Sequence, residues 1–513
     1  MGQMTMFRKL AAAAAALLLM PGAARAEWRA VETQHFIIYT QSDDKDALRL
    51  ATRLETVDGL MRLASNISDT VEPVKVRIYE VGTNGEVETA LGLTDSGVAG
   101  FYNSNILGPF AVTPHSTTFH AGDFSPELVL HHEYAHHFML QYFPATYPQW
   151  YVEGYAELIG SSKIQPDGKI AYGFPAKHRG HDIAAEWMPL DELFLTPPEK
   201  LRDYDVYGQG WAMTHFFTFS KERGPQLRAY LHALSVGRSP AEAAKVFGDL
   251  KQLNREARTY VLTGAFDYKL VTVPIAQPVV EATRPVSPGE AAMIPAVIAF
   301  RDDELSLYRK AGARDHEKHL RDANLEKAHD IARRYPNDPF VHAFIAVAEY
   351  SAGNYAAGEA AADRALVLDG NNLRALVVKS LSLAREAGSL SGPARAAKEQ
   401  AARQLAIRAQ KADQNDPLPL FAFYESYHLA GDTPTRQAVD LLASAVETMP
   451  DNTVMRQALV DELAAEKNWA EAIHYLATIA NDPHDSPRRA AAKEQLAKLL
   501  AELRKEHGLP AAS

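Results

Sequence analysis

Two histidines and a glutamate can do chemistry at their spacing. In the run Leu130-His131-His132-Glu133-Tyr134-Ala135-His136-His137, the segment HEYAH sets His132 and His136 four residues apart. On a helix that spacing puts both imidazoles on one face, where together they can grip one metal ion. Glu133 is turned toward the flank, where it can contact a metal-bound water without ligating the metal. With 19 histidines in the chain, chance can produce this spacing, so a second segment matters. It is Trp150-Tyr151-Val152-Glu153-Gly154-Tyr155-Ala156-Glu157-Leu158. A catalytic zinc takes three protein ligands and keeps an open position, and Glu153 can be the third ligand. Glu157, one turn later on the same face, can accept the distal N–H of a ligand histidine and orient it. The bland alternative is a pair of solvated helix carboxylates, which apolar Trp150, Val152, Leu158 and Ile159 argue against. A three-histidine site would need glycine at Met139 and histidine at Tyr142, and the sequence has neither.

Helices must position these groups. Ser125 is a good N-cap and Pro126 suits a first helical turn, so a helix is expected from there to about Tyr142, stopping before Pro144. Upstream, His35 to Thr40 reads as a strand, Ala47 to Ala64 as a helix, and Val74 to Val81 as a half-buried strand of alternating pattern. Gly100 to Tyr102 and Phe110 to Val112 are shorter strand candidates. Strands followed by helices give an α+β order over residues 27–268. Pro274, Pro278, Pro285, Pro288 and Pro295 then crowd residues 269–310, which predicts an extended linker or arm without helix. That boundary predicts that residues 27 to about 270 fold and bind metal without the C-terminal half.

Residues 311–513 are alanine-rich and helical in pattern. A turn signal recurs at Asn337-Asp338-Pro339, Asn371-Asn372, Asn415-Asp416-Pro417, Asp451-Asn452 and Asn481-Asp482-Pro483. The first two are 34 residues apart, the length of a tetratricopeptide unit, with Ala352 to Tyr355 at its inner turn and Asp363 to Leu366 in its second helix. This region resembles degenerate tetratricopeptide repeats, whose concave face serves packing or a protein partner.

With both helices in view, residues 30–265 resemble the gluzincin metallopeptidases, and more closely the bacterial peptidase MA-like domain, often fused to tetratricopeptide repeats. The resemblance implies an α+β zincin-like catalytic domain followed by an all-α tetratricopeptide-like solenoid. It implies Zn2+ on His132, His136 and Glu153, with Glu133 as general base. Tyr207-Gly208-Gln209-Gly210 resembles the Tyr-x-x-Gly helix start of the aminopeptidase-like members, which implies that Tyr207 stabilises the oxyanion; the other reading is a buried ring at a helix start. Sixteen residues lie between His136 and Glu153, fewer than is usual in the family, which requires a tight loop. The glycine-rich motif with which aminopeptidases hold a free amino terminus is not visible. The expected substrate is a peptide or protein, and the strand at Phe110 to Thr113 is a candidate edge to pair with it. A competing reading makes the metal domain a silent scaffold for repeats that bind a partner in the envelope. A third reading, hydrolysis of a non-peptide amide, is compatible with the same ligands.

The remaining histidines carry no ligand spacing. His131 and His137 are read as surface residues or neighbours of the ligands, and His115, His120 and His215 as structural. The 513 residues hold 53 Lys+Arg against 64 Asp+Glu, a net charge of −11 that gives no drive toward nucleic acid. Cysteine is absent, which excludes disulfides and thiolate ligands. Residues 1–26 read as a secretory signal: Arg8 and Lys9, an apolar run from Leu10 to Met20, and Ala24-Arg25-Ala26 as a cleavage site after Ala26. The run is too short to span a bilayer. A periplasmic or secreted protein without stable membrane insertion is expected.

Overall fold

The computed structural model describes residues 27–68, 74–91, 98, 100–116, 125–185, 187–197, 200–300, 314–480 and 487–506. The signal reading, His120, residues 301–310 of the proline-rich stretch and the turn at Asn481-Asp482-Pro483 lie outside them.

Six strands form the main sheet. They are β1 (Arg29–Glu32), β2 (Phe36–Thr40), β3 (Val76–Thr83), β4 (Phe101–Asn105), β5 (Gly108–Ser116) and β9 (Ala282–Pro285), in the order β4-β5-β3-β2-β1-β9. β2, β3 and β5 run parallel, while β4, β1 and β9 are antiparallel to their neighbours. Between β2 and β3 lies α1 (Asp44–Ser65), capped by the Asp43 side chain on Asp46 N–H, and after β3 comes α2 (Asn84–Leu91). A small second sheet joins β6 (Lys163–Ile164), β7 (Ile170–Tyr172) and β8 (Lys269–Val271). The candidate substrate edge moves: β5 is paired on both sides, with Phe110 opposite Arg77 and Asn103, so the edge strand on the side of the motif helix is β4.

Alternation along the strands fills two cores. Val31, Phe36, Ile38, Val76, Ile78 and Ala111 face α1 and α3 (Pro126–Tyr142). Their neighbours Ala30, Tyr39, Tyr79, Phe110 and Val112 face the other way. That second face is covered by α8 (Pro288–Ile298) and by helices of the C-terminal half, with Met293, Ile294, Val341 and Phe344 in the same apolar cluster. β3 is therefore buried on both faces rather than half-buried, and the chain does not divide into two cores near residue 270.

The proline-rich stretch also differs from an open linker. It supplies β9, which pairs with β1, and then α8. Pro288 sits in the first turn of α8, where a missing N–H costs nothing, and Ser287 caps Glu290 N–H. Pro295 lies inside the helix on its exposed side, while Ile294 and Val297 beside it face the cluster shared with the repeats.

α4 (Gln149–Gly160), α5 (Gly208–Phe219), α6 (Gly224–Ser235) and α7 (Leu250–Thr263) complete the site half. The C-terminal half is an array of helical hairpins. α9 (Arg314–Arg334) leads into α10 (Pro339–Ser351) with α11 (Tyr355–Leu368), α12 (Leu373–Ala387) with α13 (Gly392–Ala412), and α14 (Leu418–Ala430) with α15 (Arg436–Thr448). α16 (Thr453–Ala465), α17 (Trp469–Ala480) and α18 (Pro487–Glu506) close it. The recurring turn signals are N-caps: Asp338 accepts from Phe340 N–H, Asn372 from Ala375 N–H and Asn452 from Met455 N–H. No helix among the described residues is long and apolar enough to cross a membrane.

Candidate metal centre

α3 begins and ends where its capping residues predict. The Ser125 hydroxyl accepts from Leu128 N–H, Pro126 occupies the first turn, and the helix stops at Tyr142. A six-residue connection, 143–148, returns the chain into α4, so the two motif helices lie side by side. His132 Nε2 and His136 Nε2 are 3.1 Å apart, and Glu153 Oε2 is 3.3 Å from the first and 3.5 Å from the second. Donors bound at 2.0–2.1 Å to a tetrahedral zinc are separated by about 3.3 Å, so two imidazole nitrogens and a carboxylate oxygen fit such an ion.

The electrostatics favour a cation among them. Burial opposes a charge on His132, but its hydrogen bond with Glu153 and the charges of Glu157, Glu153 and Glu133 outweigh it and push its pKa up to about 9. Burial opposes ionisation of Glu153 too, yet the charge of His136 and hydrogen bonds from His132 and His136 hold it well below the usual carboxylate range.

Glu157 reaches His132 Nδ1 at 3.5 Å, and its hydrogen bonds come from elsewhere. His178 Nε2 is 2.7 Å from its Oε2, while Arg179 donates from Nε and a terminal nitrogen to Oε1 at 3.0 and 2.7 Å. Burial raises this carboxyl, but the His178 hydrogen bond and the charges of His132, Arg179 and His178 bring it down to about 2. His178 and Arg179 thus fix the group that faces His132. Nothing in their spacing marks them in the sequence.

Tyr207 is brought in by close helix contact. A Cβ at Gly154 would lie 2.2 Å from the Gly210 carbonyl oxygen, and one at Gly210 would lie 2.5 Å from that of Trp150. Glycine at both positions lets α4 and α5 cross backbone to backbone. Tyr207, just before α5, then has its ring 6.1 Å from that of His132 and under the Arg179 guanidinium, 4.6 Å away. Burial and the Glu153 charge keep its hydroxyl protonated, above the usual tyrosine range, against the pull of Arg179.

Glu133 accepts from the backbone N–H of Tyr102 at 3.0 Å, which ties it to edge strand β4. His131 and His137 are buried, not surface residues. Burial, with Arg53 nearby, depresses His131 to about 3, whereas His137 Nδ1 lies 2.8 Å from the Tyr102 hydroxyl. His215 is a satisfied core histidine between the Gly173 carbonyl and Tyr260. His115, half exposed, contacts Ser42 and Glu80.

No protein-family description matches the chain, and no curated protein matches it. Among solved structures it is similar to a thermophilic TPR protein of Thermus thermophilus, at 17% identity and TM-score 0.31, covering 37% of this chain and 95% of that one. It is also similar to yeast Tom70, at 12% identity and TM-score 0.25, covering 90% of this chain and 83% of that one. At such scores the helical-repeat character is carried by the capped hairpins themselves.

Proposed function

We propose that this chain is a zinc-dependent peptidase of the gluzincin type. The supporting observation is the triangle of donor atoms from His132, His136 and Glu153, with edges of 3.1–3.5 Å. Zinc, when bound, supplies Lewis acidity that lowers the pKa of water toward about 7 and polarises a carbonyl. Glu133, on the flank of the same helix, takes the proton of the attacking water and returns it to the leaving amine. Tyr207 keeps its proton and donates to the developing oxyanion. Glu157, fixed by His178 and Arg179, orients the His132 ring. The signal-like pattern of residues 1–26 supports work outside the cytoplasm, in the periplasm or beyond. A protein partner on the repeats belongs to the same proposal.

Metal analysis and hydrolysis of a mixed peptide library test it. The wild type is expected to hold about one zinc per chain. Glu133→Gln is expected to keep zinc and lose at least about a hundredfold in turnover. Tyr207→Phe is expected to lose about 10²–10³ in turnover with little change in KM. Zinc without hydrolysis by the wild type points to the silent scaffold instead, and a Phe variant as fast as wild type returns Tyr207 to a packing role.

A further inference from the structure

The helical repeats reach the metal centre. The turn between α15 and α16 lies against α3 and β4: Gln141 donates to the Thr448 carbonyl at 3.2 Å, and Asp451 accepts from the Tyr102 hydroxyl. The Asp451 side chain is 2% exposed and lies 3.7 Å from His137 Nδ1. Arg456, buried on α16, donates from Nε to the Pro450 carbonyl at 2.8 Å and so fixes the turn from behind.

Between the two halves is a cavity of about 210 Å³. Leu140, Phe143 and Val152 line it from the site half, and Pro450, Thr478 and Ile479 from the repeats. Glu133 and His136 line it as well, so it opens onto the reacting groups. Its wall is mostly aliphatic and aromatic, and the Arg456 head group is turned to backbone carbonyls.

We propose that this cavity is the subsite for a large apolar side chain, such as Leu or Phe, beside the cleaved bond, and that the repeats set specificity by supplying half its wall. The proposal rests on the peptidase reading for the cleavage, not for the binding. Full burial of such a side chain favours it over alanine by about ten- to a hundredfold.

The experiment uses full-length, zinc-loaded Glu133→Gln protein, which cannot turn over, and calorimetry with hexapeptides that differ at one position, X. Kd is expected to be about ten- to a hundredfold lower for X = Leu or Phe than for X = Ala. Thr478→Trp, which fills the cavity from the repeat side, is expected to erase that preference, so that the Leu, Phe and Ala peptides bind alike. Thr453→Trp, on the neighbouring helix, is the second variant should the first misfold. Binding indifferent to X, or an equal loss for every X, overturns the subsite and leaves the peptidase reading standing. Leu-selective binding with no hydrolysis by the wild type overturns the peptidase reading and keeps the subsite. No peptide binding at all overturns both.

Discussion

Around Glu157, burial is polar and distant in sequence: His132, His178 and Arg179 arrive from other segments to meet one carboxylate. Around Ala361, Ala362 and Ala365, burial is apolar and local, each helix packing on its neighbours in the chain. The first arrangement stores charge at a point and depends on every contributor being in place. The second spreads small contributions over many interfaces, which suits a wall or scaffold that can lose one contact and stand. The two meet at Tyr102, whose backbone holds Glu133 and whose hydroxyl is held by Asp451.

Cutting the chain tests this contrast most severely. A fragment ending near residue 270 lacks β9 and bares Tyr39, Tyr79, Phe110 and Val112, so it is expected to aggregate and bind no zinc. The fragment 314–506 is expected to stay helical, with a broad thermal transition by circular dichroism. A soluble, zinc-binding 27–270 fragment breaks the shared-core description.

A methyl group placed in each half gives a smaller effect. Gly154→Ala sets a Cβ against the Gly210 backbone, and at least about 3 kcal/mol of stability is expected to be lost, with zinc affinity falling alongside. In the repeats, a Cβ at Gly358 would meet the Ala346 carbonyl oxygen at 3.0 Å, which the helix preference of alanine partly offsets. Its net effect is expected to stay within about 1 kcal/mol. Denaturant melts of the two variants compare them directly, and equal losses would remove the distinction.

The smallest effect expected is one of pH on the metal-free protein. His131, depressed to about 3, stays neutral while the unfolded chain protonates, so its contribution is lost as pH falls from about 6.5. Glu157, depressed to about 2, contributes fully above about 4.5 and loses this as pH falls through 2. His132, raised to about 9, adds stability below about 6.5 that disappears as pH rises through 9. The chelated protein is therefore expected to be most stable near neutrality and, with the His132 gain set against the His131 loss, to lose about 1 kcal/mol by about pH 5. A flat melting temperature over that range would show that these groups titrate alike folded and unfolded.

Local chemistry was legible in the sequence, and encounters between distant segments were not. The spacing of His132 and His136 on α3, the Ser125 cap and the repeat turns at Asp338, Asn372 and Asn452 each depend on a few neighbouring residues. The burial of His131 and His137, the hold of His178 and Arg179 on Glu157, and the helix carrying Pro295 depend on what packs from elsewhere. The alternation of β3 marked one buried face, and only its partner helices reveal the second.

The return of β9 to pair with β1 sets the order in which the molecule can be completed. Arg29 lies opposite Pro285, so the first strand made waits for one of the last residues of the α/β half. At synthesis rates of about 5–20 residues per second, that wait is on the order of tens of seconds. By then α3, α4 and α5 have all emerged and can pack, while the sheet is still open at one edge and bare on one face. Such a long-range closure makes folding slow and leaves a nascent chain open to unwanted strand pairing until its own late segment arrives.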